Sequence, residues 1–200
     1  MRILKTSVQL LKSDWWYKGW ALDIHTIRSV PIADHIYDTE RTELGQALYL
    51  VKYENDFTQI QPIAETAAAF LKSEKNLWWF KYVDGIVPVP PSNLNRRVQP
   101  VWELARTISE KTEIRYDNDF LIKTKDTEQI KNIDNPAEGL QQLKDAFSVK
   151  DNRYSGRTVL VFDDIYDNGT TLESACKAMR EEGYVNYIYA LTITRTRIKK

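Results

Sequence analysis

Val159-Leu160-Val161-Phe162-Asp163-Asp164-Ile165-Tyr166-Asp167-Asn168-Gly169-Thr170-Thr171 decides how this chain is read. Its first four residues are an unbroken apolar run, the pattern of a central parallel strand covered by helices on both faces. Two carboxylates follow at once, and ligands of an open α/β sheet collect outside the carboxyl ends of such strands. A small polar turn, Asp167-Asn168-Gly169, then leads into a predicted helix over 171–182 that Gly183 closes.

The pairing of acids with a Gly-Thr-Thr helix start has chemical content. Backbone N–H groups at a helix N-terminus, two threonine hydroxyls and a glycine that admits close approach make a phosphate cradle. Carboxylates beside it accept hydrogen bonds from sugar hydroxyls, so acceptors and donors together suit a sugar phosphate. A solvated Asp/Asn/Gly turn would need neither paired acids at a buried strand end nor a Thr-rich helix start.

Outward from this stretch, the spacing predicts strands over 158–162 and 185–194. Upstream, Leu44, Ala47, Leu48 and Val51 fall on one helical face, and Ile60, Ile63, Ala64, Ala67, Ala68 and Leu71 on another. Gly85 to Val89 reads as a strand stopped by Pro90 and Pro91. Pro100 fits the first turn of a further helix, with Val101, Ala105 and Ile108 on its buried stripe. Phe120-Leu121-Ile122 suggests another strand, and 123–138 is polar and without period, as in a mobile loop. Alternating strands and helices predict an α/β fold with a mostly parallel central sheet flanked by helices.

The first forty residues are rich in aromatics (Trp15, Trp16, Tyr17, Trp20) and β-branched residues. They predict short strands, with a hairpin around Lys18-Gly19, in a small β-rich hood. The aromatics there suit a packing layer, a nucleobase shelf or a dimer face, and packing is favoured because such side chains bury so much area. No repeat or Gly/Ser linker divides the chain, so 1–200 reads as a single domain and 1–40 as its hood or homodimer region.

The 200 residues are 42% hydrophobic and carry 28 basic and 28 acidic side chains. A formal net charge of zero gives no global basic field to hold nucleic acid. Cys176 is the single cysteine, which excludes an internal disulfide and any Cys-rich zinc site and agrees with a reducing, cytoplasmic setting. No apolar run is long enough to span a bilayer. His25 and His35 lack partner spacing for a metal or a nucleophile.

Three other readings of the acidic stretch fail on its surroundings. A receiver domain, whose opening strand and helix look similar, needs most of its residues after this point. The Asp-Asp-x-x-Asp motif of prenyl-diphosphate enzymes lies inside helices, whereas Phe162 ends a β run and Gly169 breaks a helix. No G-x-x-x-x-G-K-[ST] string is present for a P-loop.

VLVFDDIYDNGTT resembles the 5-phosphoribosyl-1-pyrophosphate (PRPP) motif of type I phosphoribosyltransferases, a hydrophobic strand, two acids and a loop usually ending in Thr-Gly-x-Thr. RTELGQALYLVKY (41–53), VPVPPSNLNRRVQPVWELA (87–105), the 123–149 segment ending in AFSV and the terminal LTITRTR are similar to the competence-protein F (ComF-like) branch of that family. The resemblance implies a type I phosphoribosyltransferase fold and a cytoplasmic transferase, a glycosyltransferase of nucleotide metabolism. Such an enzyme moves phosphoribosyl from Mg²⁺-bound PRPP to a nitrogen acceptor and releases pyrophosphate.

By the same resemblance, Asp163 and Asp164 hold the ribose, and Asp167, Asn168, Gly169, Thr170 and Thr171 hold the 5′-phosphate. Ser92, Asn93, Arg96 and Arg97 take the pyrophosphate. Lys123 and Lys125 open a closing catalytic loop, and Asp167 matches the general base of several purine enzymes. Mg²⁺ is held mainly by PRPP, with Asp163 and Asp164 as further contacts. Asn168 stands where relatives most often have Thr or Ser. No arginine matches the relatives' loop arginine at 137–140, and their N-terminal cysteine cluster is absent. The alternative on the same fold is a non-catalytic PRPP or nucleotide sensor, or an accessory of DNA uptake. Arg195 and Arg197, leaving the last strand, either face the site or cap the C-terminus.

Overall fold

The computed structural model describes residues 2–34, 36–91, 96–124 and 146–197. Its centre is a five-stranded sheet of order β1-β2-β9-β8-β5, formed by β1 (Gln9–Leu11), β2 (Lys18–Ile24), β5 (Gly85–Pro88), β8 (Thr158–Tyr166) and β9 (Tyr187–Arg195). β2, β9, β8 and β5 run parallel, and β1 alone is antiparallel to its neighbour. Two antiparallel pairs stand apart: β3 (Thr26–Ala33) with β4 (Ile36–Arg41), and β6 (Leu121–Lys123) with β7 (Phe147–Val149).

The period-2 geometry of β8 sends its apolar run to both faces. Leu160 and Phe162 enter a core with helices α1 (Glu43–Tyr53), α2 (Ile60–Leu71), α3 (Glu74–Phe80) and α4 (Pro100–Thr112). Val159 and Val161 enter a second core with α5 (Thr170–Glu181) and the β6–β7 pair. All four are fully buried, as expected for a two-sided parallel strand. The predicted stripes hold: Leu44, Ala47, Leu48 and Val51 of α1 and Ile60, Ile63, Ala64, Ala67, Ala68 and Leu71 of α2 are all buried. An alanine at Leu104 or Ile108 of α4, each fully buried, costs on the order of 2–5 kcal/mol.

The structure shifts several predicted boundaries. β8 continues past Phe162 to Tyr166 because β9 goes on pairing with it, Asp163 opposite Thr192, Ile165 opposite Thr194 and Tyr166 opposite Arg195. α5 begins at Thr170, with Gly169 in the left-handed conformation at φ +89° before it. The turn of the first hairpin spans 12–17, and Lys18 and Gly19 already lie within β2. Gly19 serves packing there, because a Cβ would meet Trp16 Nε1 at 2.6 Å. Among the aromatics, Trp16 and Trp20 are buried. Trp20 stacks on Trp79 and Tyr189 with ring centroids 5.0 and 6.3 Å away. Among the described residues no helix is long and apolar enough to cross a membrane.

Candidate functional site

A cleft of about 680 Å³ opens at the carboxyl ends of β5 and β8, where the topology of a parallel sheet places ligands. Its floor is the end of β8. Asp164 turns toward α1, and the strict alternation of the apolar run slips beyond it, since Ile165 packs on the core of Leu160 and Phe162 and Tyr166 on that of Val159 and Val161. Asp163 turns one carboxylate oxygen to the backbone N–H of Asp164, which donates to it at 2.8 Å. Asp164 meets Lys52 Nζ at 2.8 Å, and the two side chains are 14% and 18% exposed. Burial alone pushes the Lys52 ammonium down, but the charge and hydrogen bond of Asp164 outweigh it and hold its pKa above the ordinary value.

Lys52 is positioned by the start of its helix. The Thr42 hydroxyl accepts from Gly45 N at 2.9 Å as an N-cap and donates to Ile24 O at 2.7 Å, tying α1 to the end of β2. Gly45 is required at that junction, because a Cβ there would run into the His25 carbonyl. Lys52 in the last turn then meets the favourable end of the helix dipole. His25, at the same junction, has its imidazole pKa pushed down to about 4 by burial and by the charges of Arg41 and Lys52, with Asp164 opposing. Its Nδ1 lies 3.1 Å from Thr194 Oγ1.

The turn between β8 and α5 forms the other wall. Asn168 Oδ1 accepts from Thr170 N at 3.1 Å, an Asx turn that fixes the helix start. Gly169 carries the left-handed backbone, and a Cβ on it would lie 2.5 Å from Tyr166 Oη. Tyr166 is held edge-on by Trp16, ring centroids 6.5 Å apart, and the Arg195 guanidinium lies over its ring at 5.5 Å. Asp167 Oδ1 accepts from the Thr196 hydroxyl at 2.7 Å. Thr192, fully buried on β9, lines the same cleft, and its Oγ1 has no hydrogen-bond partner among the described residues.

Of the residues singled out in the sequence, Asp163, Asp164, Asp167, Asn168, Gly169, Thr171, Arg96 and Lys123 all line this one cleft. Thr170 adjoins it through its backbone bond to Asn168. Arg97 is exposed and outside the lining. Ser92, Asn93, Lys125, His35 and 137–140 lie outside the described residues. Arg197 donates to Ile27 O at 2.9 Å, toward the β3–β4 hairpin. None of Trp15, Trp16 and Trp20 lines the cleft. Lys52, Tyr53 and Thr192 do, and their only mark in the sequence is polarity at the end of an apolar helix or strand. Among the described residues no three His, Cys, Asp or Glu side chains gather to hold a metal ion.

No family model and no curated protein matches the chain. Among solved structures it is similar to the glutamine phosphoribosylpyrophosphate (PRPP) amidotransferase from B. subtilis, complexed with ADP and GMP. The two are 19% identical, the match covers 81% of this chain and 35% of that one, and the TM-score is 0.49. This chain therefore spans about a third of the length of that protein.

Proposed function

We propose that the chain is a PRPP-binding protein of the type I phosphoribosyltransferase family, ComF-like branch, that transfers phosphoribosyl to a nitrogen acceptor and releases pyrophosphate. One observation carries the reading: paired carboxylates at the end of a buried parallel strand share a single cleft with a Gly-Thr-Thr helix start and with Lys52, Arg96 and Lys123.

In this reading the carboxylates of Asp163 and Asp164 accept from the ribose hydroxyls, and Lys52, 2.8 Å from Asp164, holds that carboxylate in place for the task. The first turn of α5 holds the 5′-phosphate through N–H groups left unpaired at a helix start. Arg96 and Lys123 face the diphosphate, where cationic donors stabilise the charge that grows as the bond to the ribose C1 breaks. Two carboxylates, one already paired with Lys52, make a poor cage by themselves. They suit a Mg²⁺ ion that keeps its waters and rests mainly on substrate phosphates. When bound, the ion neutralises the departing diphosphate. A cytoplasmic setting completes the proposal, in keeping with a lone thiol, Cys176, that is buried.

A second reading, a PRPP sensor without turnover, draws support from Asp167. Its carboxylate already accepts from Thr196 and is to that extent occupied for work as a general base. Calorimetry with Mg²⁺–PRPP tests binding: Asp164→Ala abolishes it, and unchanged affinity in that variant rejects both readings. Pyrophosphate released only when a base or amine is added selects the enzyme, whereas tight binding without release selects the sensor.

A further inference from the structure

Beside the cleft lies a cation for which the described residues supply no anion. Arg41 ends β4, and its guanidinium carbon lies over the Tyr49 ring, 3.8 Å from the centroid. Its Nε is shut off from solvent and has no hydrogen-bond partner among the described residues, while the residue as a whole stays partly exposed. Among the described residues Arg41 forms no ion pair. The cleft carboxylate nearest α1, Asp164, is taken by Lys52.

A buried donor left unpaired is costly, and an unpaired charge more so. Stacking on an aromatic face holds the guanidinium in place without using its hydrogen bonds. With Nε shut in against the ring, the rest of the guanidinium is preset to meet a planar oxyanion.

Its position relates it to the cleft. The Tyr49 ring packs on Tyr53, centroids 5.1 Å apart, and Tyr53 and Lys52 both line the cleft. Arg41 is thus two ring contacts from the wall that carries Asp164. His25, one residue before Thr26, which pairs with Arg41, is kept neutral by burial and by the charges of Arg41 and Lys52, so it adds no competing cation at neutral pH.

We infer that Arg41, stacked on Tyr49, is an oxyanion subsite that selects an acceptor bearing a carboxylate, seated beyond the ribose on the α1 side of the cleft. This rests on the PRPP reading for the word acceptor, but the subsite itself is testable without PRPP.

The test follows the Arg side-chain Nε–Hε resonances of the ¹⁵N-labelled full chain, the Arg41 signal being the one lost in Arg41→Lys. Matched acid and amide pairs are titrated: benzoate and benzamide, nicotinate and nicotinamide, orotate and its amide. At least one acid is expected to move the Arg41 resonance and to bind about tenfold tighter than its amide, within the range of one charge-assisted hydrogen bond. Arg41→Met removes that preference, and Arg41→Lys restores part of it. The inference is overturned if no acid moves the resonance, if acid and amide act alike, or if the preference survives in Arg41→Met. Calorimetry of wild type with Mg²⁺–PRPP separates the two claims. Acids that reach Arg41 in a chain that ignores PRPP leave the subsite standing and reject the PRPP reading; PRPP binding with no acid effect rejects the subsite alone.

Discussion

The molecule holds two clusters of acids at opposite ends of the same strands, and they are built by opposite rules. Near the start of β5 and β8, Asp117 is buried and fully answered. It accepts from Phe120 N at 3.1 Å and from Tyr154 Oη at 3.0 Å, and it pairs with Arg153 at 3.2 Å and Arg115 at 3.4 Å. Arg153 also reaches Asp119 and Asp151. Burial and the Asp117 charge push the Tyr154 phenol above its ordinary range. At the other end, Asp163, Asp164 and Asp167 border an open cleft, where Asp164 pairs with Lys52. Satisfied acids tie loops together, and acids facing a cavity are available to a ligand.

The largest effect that sharpens this contrast is on stability. Asp117→Ala strips Tyr154 and Phe120 N of their acceptor and is expected to destabilise the fold by about 3 kcal/mol, measured by urea unfolding. The same variant is expected to leave the affinity for PRPP within about twofold, measured where the protein is still folded. A loss of affinity much larger than that would show the two ends to be coupled and break the comparison.

Next in size is a change confined to the cleft. Gly169→Ala forces an L-residue into φ +89° and presses its Cβ on Tyr166 Oη. We expect about 1–2 kcal/mol of lost stability. PRPP affinity should fall about tenfold or more, because Tyr166 and the start of α5 move apart. Equal affinity with reduced stability would make Gly169 a folding residue only.

The same contrast governs how much could be read from the sequence. The run Val159–Phe162 with its two acids is local, so strand, helix start and acid pair were all legible from neighbouring residues. The end of β8 was not, because residues 163–166 are strand only by virtue of β9 beside them. The Asp117 cluster draws on loops far apart in the chain, and no spacing announces it. Lys52, Arg41 and His25 are brought together by one N-cap, Thr42, and by the glycine that lets the His25 carbonyl approach α1. Histidine without a metal-like spacing gave no signal, since its partners come from a helix end and a hairpin end. Thr192 reads as one more β-branched strand residue until the cleft is seen beside it.

The smallest expected effect tests the His25 junction by pH. With its imidazole held down to about 4, the folded chain stays unprotonated there while the unfolded chain takes up a proton near the ordinary value of about 6.5. The unfolded state therefore binds more protons between those values, so stability falls as pH drops from about 6.5 to about 4 and the term is constant below. The ring is partly exposed, which cuts a ceiling of about 3 kcal/mol to on the order of 1 kcal/mol. His25→Gln should flatten that limb of the stability–pH curve relative to wild type, measured by urea midpoints across the window. Carboxylates that titrate in the lower part of the window are common to both proteins and cancel in the difference. If the two curves run parallel, burial and the charges of Arg41 and Lys52 do not bear on His25 as the structure has them, and the β2–α1 junction contributes nothing to the pH dependence.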